Sequence, residues 1–518
     1  MSRILLIRPP SVFSSSNYSA PVTMPLALAY LSANLIEHGH QVSNLDALGE
    51  DIEHIGISYN SRVRYRGLSI PRILERIAER PDGIGISAMF SQDWPHIEDM
   101  ISAIRDKFPD VPIILGGEHA TAAGEYVLRS CPAVNHVAVG EGDETIVDWA
   151  NWIDSKIPLS EVNGIQYLDA SGNLVVNPER TRIRDVDEIP WPAWHLFNLA
   201  PYFKAGQGHG VERGRSMPIL ATRGCPYQCT FCSSPLMWTT RYLMRDVRMV
   251  VDEIEHYVKT YKADNIDFFD LTAIIKRDWI LAFCKEMKSR DLKVAWQLPS
   301  GTRSEAMDSE VLREMATSGC MNVTYAPESG SVRTLKLIKK KVALPRLFES
   351  IRRAKSNGIF VKCNLIIGFP HETRRDMLQT VWCAVKFAWI GVDDTAIYNY
   401  SPYPGSELYE YLRKTGSIAD MDRAYFQSLM TFMDLKQHTN YCENVGPLEI
   451  SFYRIFGMSL SYGLSYLLHP SHVLRSVRNY SLHRSDTVFE ERLFAIVRRK
   501  QKENRQRTHH EHQDTAAL

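Results

Sequence analysis

Several whole classes of function are excluded by what the sequence does not contain. It has no surplus of charge: 60 Lys and Arg stand against 60 Asp and Glu in 518 residues, so no long-range field draws it to a polyanion. No basic stretch is interleaved with aromatics, which removes the usual footprint of a nucleic-acid partner. No apolar run is long enough to span a bilayer. At the N-terminus only residues 4–7 are continuously apolar before Arg8, which reads as a first strand and not a secretion signal. Cysteine is scarce and odd in number, nine in all, a usage that fits a reducing cytosol and leads us to expect a cytoplasmic protein without disulfides. There is no G-x4-G-K-[S/T] phosphate loop.

Three of the cysteines do form a pattern. Residues 222–234 read TRGCPYQCTFCSS and place Cys225, Cys229 and Cys232 in a C-x3-C-x2-C array directly after the apolar run 217–221. Three thiolates at that spacing hold three irons of a four-iron cubane and leave the fourth iron open. Structural zinc wants a fourth protein ligand, and no second C-x2-C or H-x3-H pair lies nearby. Cys131, Cys284, Cys320, Cys363, Cys383 and Cys442 have no metal spacing and read as small buried apolar residues.

Chain length suggests about three domains. Over residues 1–155, short β-branched runs at 4–7, 41–45, 83–88, 112–115 and 134–139 alternate with helical patterns, which predicts an α/β doubly wound parallel sheet. A helix is expected over 26–38, with apolar residues at 28, 31 and 35 and Gly39 as its terminator. Ligands of such sheets bind beyond the carboxyl ends of the strands. The loops there contain Pro9-Pro10 and 21–26 with Met24, then 87–91 beginning at Ser87, then Gly116-Gly117 with His119, then Gly140-Glu141-Gly142 with Glu144. None carries the G-x-G-x-x-G dinucleotide fingerprint, and their glycines let backbone approach a flat, bulky ligand.

Residues 156–215 read as a hairpin around Ser171-Gly172-Asn173, followed by a Pro- and aromatic-rich linker whose Trp191, Trp194, Phe197 and Tyr202 suggest packing between domains. From 216 to 405 the β/α rhythm resumes with strands at 217–222, 265–269, 293–297, 322–326, 360–367 and 395–400, which predicts a partial (β/α)6 barrel with its site at the strand carboxyl ends. Residues 406–497 read as a mainly helical C-terminal domain. Residues 498–518, with His509, His510 and His512, read as a disordered tail. Within the helical part, 455–468 run fourteen positions without a charge. Such a segment is either a core helix or lies in a membrane interface; its dispersed Tyr and Ser favour the core, and peripheral membrane contact through 455–478 is the other option.

The cysteine spacing, Gly224 before it and Phe231 within it resemble the signature of the radical S-adenosylmethionine (SAM) superfamily. With the glycine loops ahead of it, the chain resembles the cobalamin-binding branch of that superfamily, which includes class B radical SAM methyltransferases and the anaerobic Mg-protoporphyrin monomethyl ester cyclase. The resemblance implies an open six-unit barrel and three cofactors: a [4Fe-4S] cluster on Cys225, Cys229 and Cys232, SAM, and cobalamin among Pro10, Met24, Ser87, Gly116, Gly117, His119, Gly140, Glu141, Gly142 and Glu144. It further implies SAM contacts at Phe231, Asp270, Glu328, Ser329 and Gly368. Where related cobalamin proteins carry D-x-H-x-x-G, this chain has Asp46-Ala47-Leu48-Gly49, so cobalt is expected without a lower histidine; His54 and His119 are the nearby alternatives.

The implied activity is transfer of a methyl group from SAM, by way of methylcobalamin, to an unactivated carbon of a small-molecule substrate through a 5′-deoxyadenosyl radical. The electron would come from an external donor of flavodoxin or ferredoxin type. Radical oxidation, cyclisation or rearrangement with the same cofactors is the alternative within this chemistry. A cobalamin-binding sensor with a structural cluster is the alternative outside it.

Overall fold

The computed structural model describes residues 1–17, 22–206, 208–273, 275–434, 436, 439–494 and 497. Pro21 and the 498–518 tail with its three histidines lie outside the described residues.

The first sheet contains β1 (Arg3–Arg8), β2 (Gln41–Asp46), β3 (Gly83–Ser87), β4 (Ile113–Gly116), β5 (His136–Ala138), β6 (Ile165–Leu168) and β7 (Leu174–Val176), in the order β7-β6-β5-β4-β3-β1-β2. Strands β1 to β5 are parallel. The hairpin β6–β7 adds antiparallel to the β5 edge, extending the sheet rather than standing apart from it. Residues 4–7 are buried throughout, as a strand covered on both faces must be. Ile4 and Leu6 point into one layer with α1 (Leu26–Glu37) and α4 (Asp143–Ile153), while Leu5 and Ile7 point into the other with α2 (Trp94–Lys107) and α3 (Glu118–Ser130).

The second sheet has the order β8-β9-β10-β11-β12-β13, all parallel: Ser216–Ile219, Asn265–Phe268, Ala295–Thr302, Cys320–Glu328, Phe360–Ile367 and Asp394–Asn399. Crossover helices α5 (Val247–Tyr261), α6 (Arg277–Ser289), α7 (Ser309–Thr317), α8 (Leu344–Ser356) and α9 (Arg374–Ile390) connect them. Three strands depart from expectation. The strand expected over 217–222 stops at Ile219, and Thr222–Arg223 turns away to pair with Leu243–Met244. Strands β10 and β11 run several residues further than expected because bulges between Leu298 and Gly301, and between Tyr325 and Glu328, carry the pairing on.

Helices α10 (Glu407–Lys414), α11 (Arg423–Ser428), α12 (Pro447–Leu468) and α13 (Pro470–Ser481) complete the chain. The first two lie against the first sheet's helical layer, where the Tyr126 hydroxyl donates to the Met421 carbonyl. The linker aromatics Trp194 and Tyr202 are buried between the sheets, with Trp194 Nε1 donating to the Tyr257 hydroxyl at 3.0 Å.

Core packing of the large apolar residues of 455–468 is not what the structure contains. The buried stripe of α12 is Ile450, Ser451, Arg454, Gly457, Ser461 and Ser465. A Cβ on Gly457 would approach Ile397 to 2.8 Å, Ser461 Oγ donates to the Ala384 carbonyl at 3.1 Å, and the Arg454 guanidinium donates to carbonyls of Ile397, Thr431, Phe432 and Asp434. Helix α12 crosses α9 so closely that only small or backbone-seeking side chains fit the seam, which leaves the large ones outside. Among the described residues no helix is long and apolar enough to cross a membrane.

Candidate active site

The cysteine loop leaves β8 under the control of one carboxylate. Asp270, fully buried, accepts from the Ala221 amide at 3.1 Å and from the Thr222 hydroxyl, which redirects the chain at the point where the strand was expected to continue. Burial pushes the Asp270 carboxyl up to about 6 against those donors. Asp270, expected at the SAM or substrate pocket, is therefore occupied in fixing the loop's entry. Gly224 follows at φ +87°, and a Cβ there would come within 2.2 Å of the Arg241 carbonyl oxygen, so only glycine fits. Further on, the Thr230 amide donates to the Ile338 carbonyl at 3.1 Å and the Leu408 amide to the Thr230 carbonyl at 2.8 Å.

Cys225, Cys229 and Cys232 are half-buried free thiols on this pinned loop. Burial raises all three above an ordinary thiol, and the positive charge of Lys340 opposes this at Cys225 and Cys229. Among the described residues no three Cys, His, Asp or Glu side chains converge on a single metal ion. A cubane does not ask for that: each thiolate takes its own iron at a separate corner, and three half-buried thiols beside a lysine and an arginine suit an anionic cluster. Arg303 lies over the Tyr227 ring at 3.9 Å, and Phe231 packs on Phe369, which packs on Tyr400.

The loop is joined directly to the first sheet. Arg223 donates to Asp143 at 2.7 and 3.1 Å, with Glu141 at 3.5 Å; Arg182 donates to Glu141 at 3.1 and 3.2 Å and also reaches the carbonyls of Trp238 and Arg241; Ser233 donates to Glu118. Glu144 pairs with Arg180 at 2.8 Å. Glu141 and Glu144, expected beside the corrin, are thus held by arginines because their loop faces the linker and the cysteine loop.

The remaining residues expected at the strand ends differ in what surrounds them. Gly117, at φ +118°, would drive a Cβ to 2.6 Å from the Ala88 carbonyl, whereas a Cβ on Gly140 would meet only the Met237 carbonyl at 3.7 Å, and one on Gly116 only Ala138 at 3.8 Å. Ser87 pairs with Gly116 in the sheet, and Gly142 precedes α4. Met89 and Phe90 stand exposed after β3, as do Leu236 after the cysteines and Leu271 after β9. Pro10 and Met24 are buried, Met24 in the core shared with the second sheet.

Leu48 is buried in that same shared core, and the Asp46 beside it accepts from the Gly49 amide at 3.1 Å and from the Tyr202 hydroxyl. His54 is exposed and reaches the Tyr65 hydroxyl at 3.4 Å. His119 is buried between Trp94 and Phe426, with Nδ1 on Ser91 Oγ at 3.0 Å. Burial lowers it to about 3, so it stays neutral. Buried polar atoms without a partner lie in the strand-end loops of both sheets: Gln92 Oε1, Asp93 Oδ1 and His119 Nε2 after β3 and β4, and Thr230 Oγ1 on the cysteine loop with Ser304 Oγ, Asn399 Oδ1 and the Tyr400 hydroxyl at the ends of β10 and β13. Each loses solvation without compensation until something polar covers it, which fits large, hydrogen-bonding cofactors at this place.

Of the residues expected around SAM, Glu328 sits at φ +69° and accepts from Lys340 at 2.8 Å. Ser329 does not face the mouth: its hydroxyl pairs with Thr380 of α9 at 2.9 Å and accepts from the Ser331 amide. Gly368, at φ +89°, donates to Glu372 at 2.7 Å, and burial raises the Glu372 carboxyl to about 7. Sequence reasoning missed Arg223, Lys340, Arg303 and Tyr400. Arg223 carried a signal, as a charge two residues before the first cysteine; the others are single residues in separate loops and carried none.

Comparison with known proteins agrees with this arrangement. Residues 18–150 match the B12 binding domain and residues 219–381 the Radical SAM superfamily. Cytidylyl-2-hydroxyethylphosphonate methyltransferase of Streptomyces wedmorensis is 29% identical over 461 residues, 82% of this chain and 84% of that protein. Anaerobic magnesium-protoporphyrin IX monomethyl ester cyclase of Rubrivivax gelatinosus is 27% identical over 466 residues, 89% of this chain and 78% of that protein. In fold, the chain is similar to the radical SAM methyltransferase TsrM from Kitasatospora setae, solved with cobalamin and a [4Fe-4S] cluster, at a TM-score of 0.62 and 18% identity over 80% of this chain and 78% of that one. The chain thus carries a B12 binding domain followed by a Radical SAM domain and is a radical SAM enzyme.

Proposed function

We propose that the protein transfers a methyl group from SAM to an unactivated carbon of a small molecule. The observation that carries this reading is the direct bond between the two halves: Arg223, on the cysteine loop, is paired with Asp143 at the strand-end rim of the B12 domain, which ties the loop that would hold the cluster to the domain that would hold cobalamin. When bound, SAM on the cluster supplies a 5′-deoxyadenosyl radical and cobalamin carries a methyl group.

The chain's own task is positioning and exclusion. Cys225, Cys229 and Cys232 would hold the cluster, and Asp270 with Gly224 aims their loop. Gly140 would let backbone lie close to the corrin, with Gly117 shaping the loop beside it, and Met89 and Phe90 would keep the corrin's surroundings apolar. Glu328, Lys340, Asn399 and Tyr400 are the polar groups that would orient SAM and substrate within reach of each other, where a contact distance decides whether hydrogen abstraction occurs. The reducing electron would arrive beside the exposed Lys336 and Lys341, which flank the Ile338 carbonyl that holds the loop, with Lys339 between them paired to Glu407; a basic rim suits an acidic flavodoxin or ferredoxin.

The test uses SAM labelled in its methyl group and the anaerobically reconstituted protein. Label should pass first into the protein-bound corrin and then into an extractable small molecule other than methionine. Label that leaves SAM only as methionine, while 5′-deoxyadenosine accumulates, would instead support the cyclase-type reading that the likeness to the protoporphyrin ester cyclase raises.

A further inference from the structure

Three helices turn large apolar side chains outward. On α9, Trp382 is 59% and Trp389 72% exposed; on α12, Phe452 is 59% and Leu467 74% exposed; on α13, Leu474 is 72% exposed. Phe452 and Phe456 stack on each other at 5.4 Å. Helix α12 packs along α9 and turns into α13 at Pro470, so these side chains share one surface, far beyond the scattered single exposures of an ordinary monomer.

The acids around this surface are paired, and the charge left unpaired is basic. Of the two acids on the three helices, Asp376 is buried and Glu449 is paired with Arg374. Beside Trp382 opens a cleft of about 910 Å³ lined by Arg333, Phe348, Arg352, Arg375, Asp376 and Lys386. Arg333 is paired with Asp376, whereas Arg352, Arg375 and Lys386 have no acidic partner among the described residues, and Arg478 is exposed on α13.

We propose that this face seats the protein on an anionic lipid bilayer, with the tryptophans and phenylalanines entering the headgroup layer and the basic cleft taking lipid phosphates. Association of two copies through the same face would bring two basic rims together, which argues against self-pairing.

The test is flotation of the full-length, cofactor-loaded protein with vesicles of phosphatidylcholine alone and with roughly one-third phosphatidylglycerol. The wild type should bind the anionic vesicles about tenfold more tightly, less so at high salt. The W389E/F452E variant, with unchanged circular dichroism and iron content, should not float, and R375E/K386E should lose the preference for anionic vesicles. Equal binding to both vesicles, no binding at all, or undiminished flotation of W389E/F452E would overturn the proposal. So would a wild-type dimer that F452E converts to a monomer, which would assign the face to a second copy of the chain.

Discussion

Arg223 donates from two guanidinium nitrogens to the two carboxylate oxygens of Asp143 at 2.7 and 3.1 Å, and both residues are buried. One belongs to the loop of the three cysteines, the other begins α4 of the B12 domain. Burial alone would weaken the guanidinium's hold on its proton, and Asp143, with Tyr30 and Glu141, more than reverses this. The pair therefore fixes the distance between the two cofactor regions as well as sharing a charge.

Replacing Asp143 with Ala leaves the buried Arg223 guanidinium with only the longer contact to Glu141 at 3.5 Å, which costs on the order of 3 kcal/mol. The expected outcome is a lower thermal midpoint together with reduced iron per chain after reconstitution, while Asp143→Glu retains most of both. Full iron loading and unchanged melting in Asp143→Ala would show that the pair does not position the loop.

Cysteine replacements should separate by position. Cys229→Ala abolishes iron loading and SAM cleavage but leaves cobalamin bound, as read from the visible spectrum. Cys320→Ala, which removes a buried thiol in β11, leaves iron content unchanged. Joint loss of iron and corrin in Cys229→Ala would mean the sites are not separable.

Cobalt should lack a lower histidine, because Leu48 is packed in the core and His119 is enclosed by Trp94 and Phe426. The purified protein should therefore show a base-off spectrum, and its reduced cobalt no nitrogen coupling in electron paramagnetic resonance. Nitrogen coupling that vanishes in His119→Ala would reverse this assignment.

Asp270 gives stability a pH dependence. Its carboxyl is raised by burial to about 6 in the folded protein, so between its ordinary value near 4 and pH 6 the folded chain holds a proton that the unfolded chain has released. Stability from this group is highest below that window, falls as pH rises through it, and stays low above. Asp270→Asn should remove the slope, a difference on the order of 2 kcal/mol between pH 4 and 7 in denaturant titrations. Parallel wild-type and variant curves would contradict the assignment.

Much of this was legible in sequence, for physical reasons. Parallel strands buried on both faces, such as residues 4–7, appear as continuous apolar runs, and a cluster loop must place its cysteines close in sequence. Side-chain commitments were not legible. Glu141, Ser329 and Asp270 sit where the superfamily resemblance expects ligand contacts, yet their partners are Arg182, Thr380 and Ala221, which approach from distant segments. The orientation of α12 was equally hidden, since an uncharged run does not say which of its faces is buried when the neighbouring helix admits only Gly457, Ser461 and Ser465.

The most direct measurement is the ratio of the two SAM-derived products. Reconstituted protein, loaded with cobalamin and given SAM and a reductant under anaerobic conditions, should release 5′-deoxyadenosine and S-adenosylhomocysteine together, in near-equal amounts once a methyl acceptor is present. Release of 5′-deoxyadenosine without S-adenosylhomocysteine, or of neither, would contradict methyl transfer.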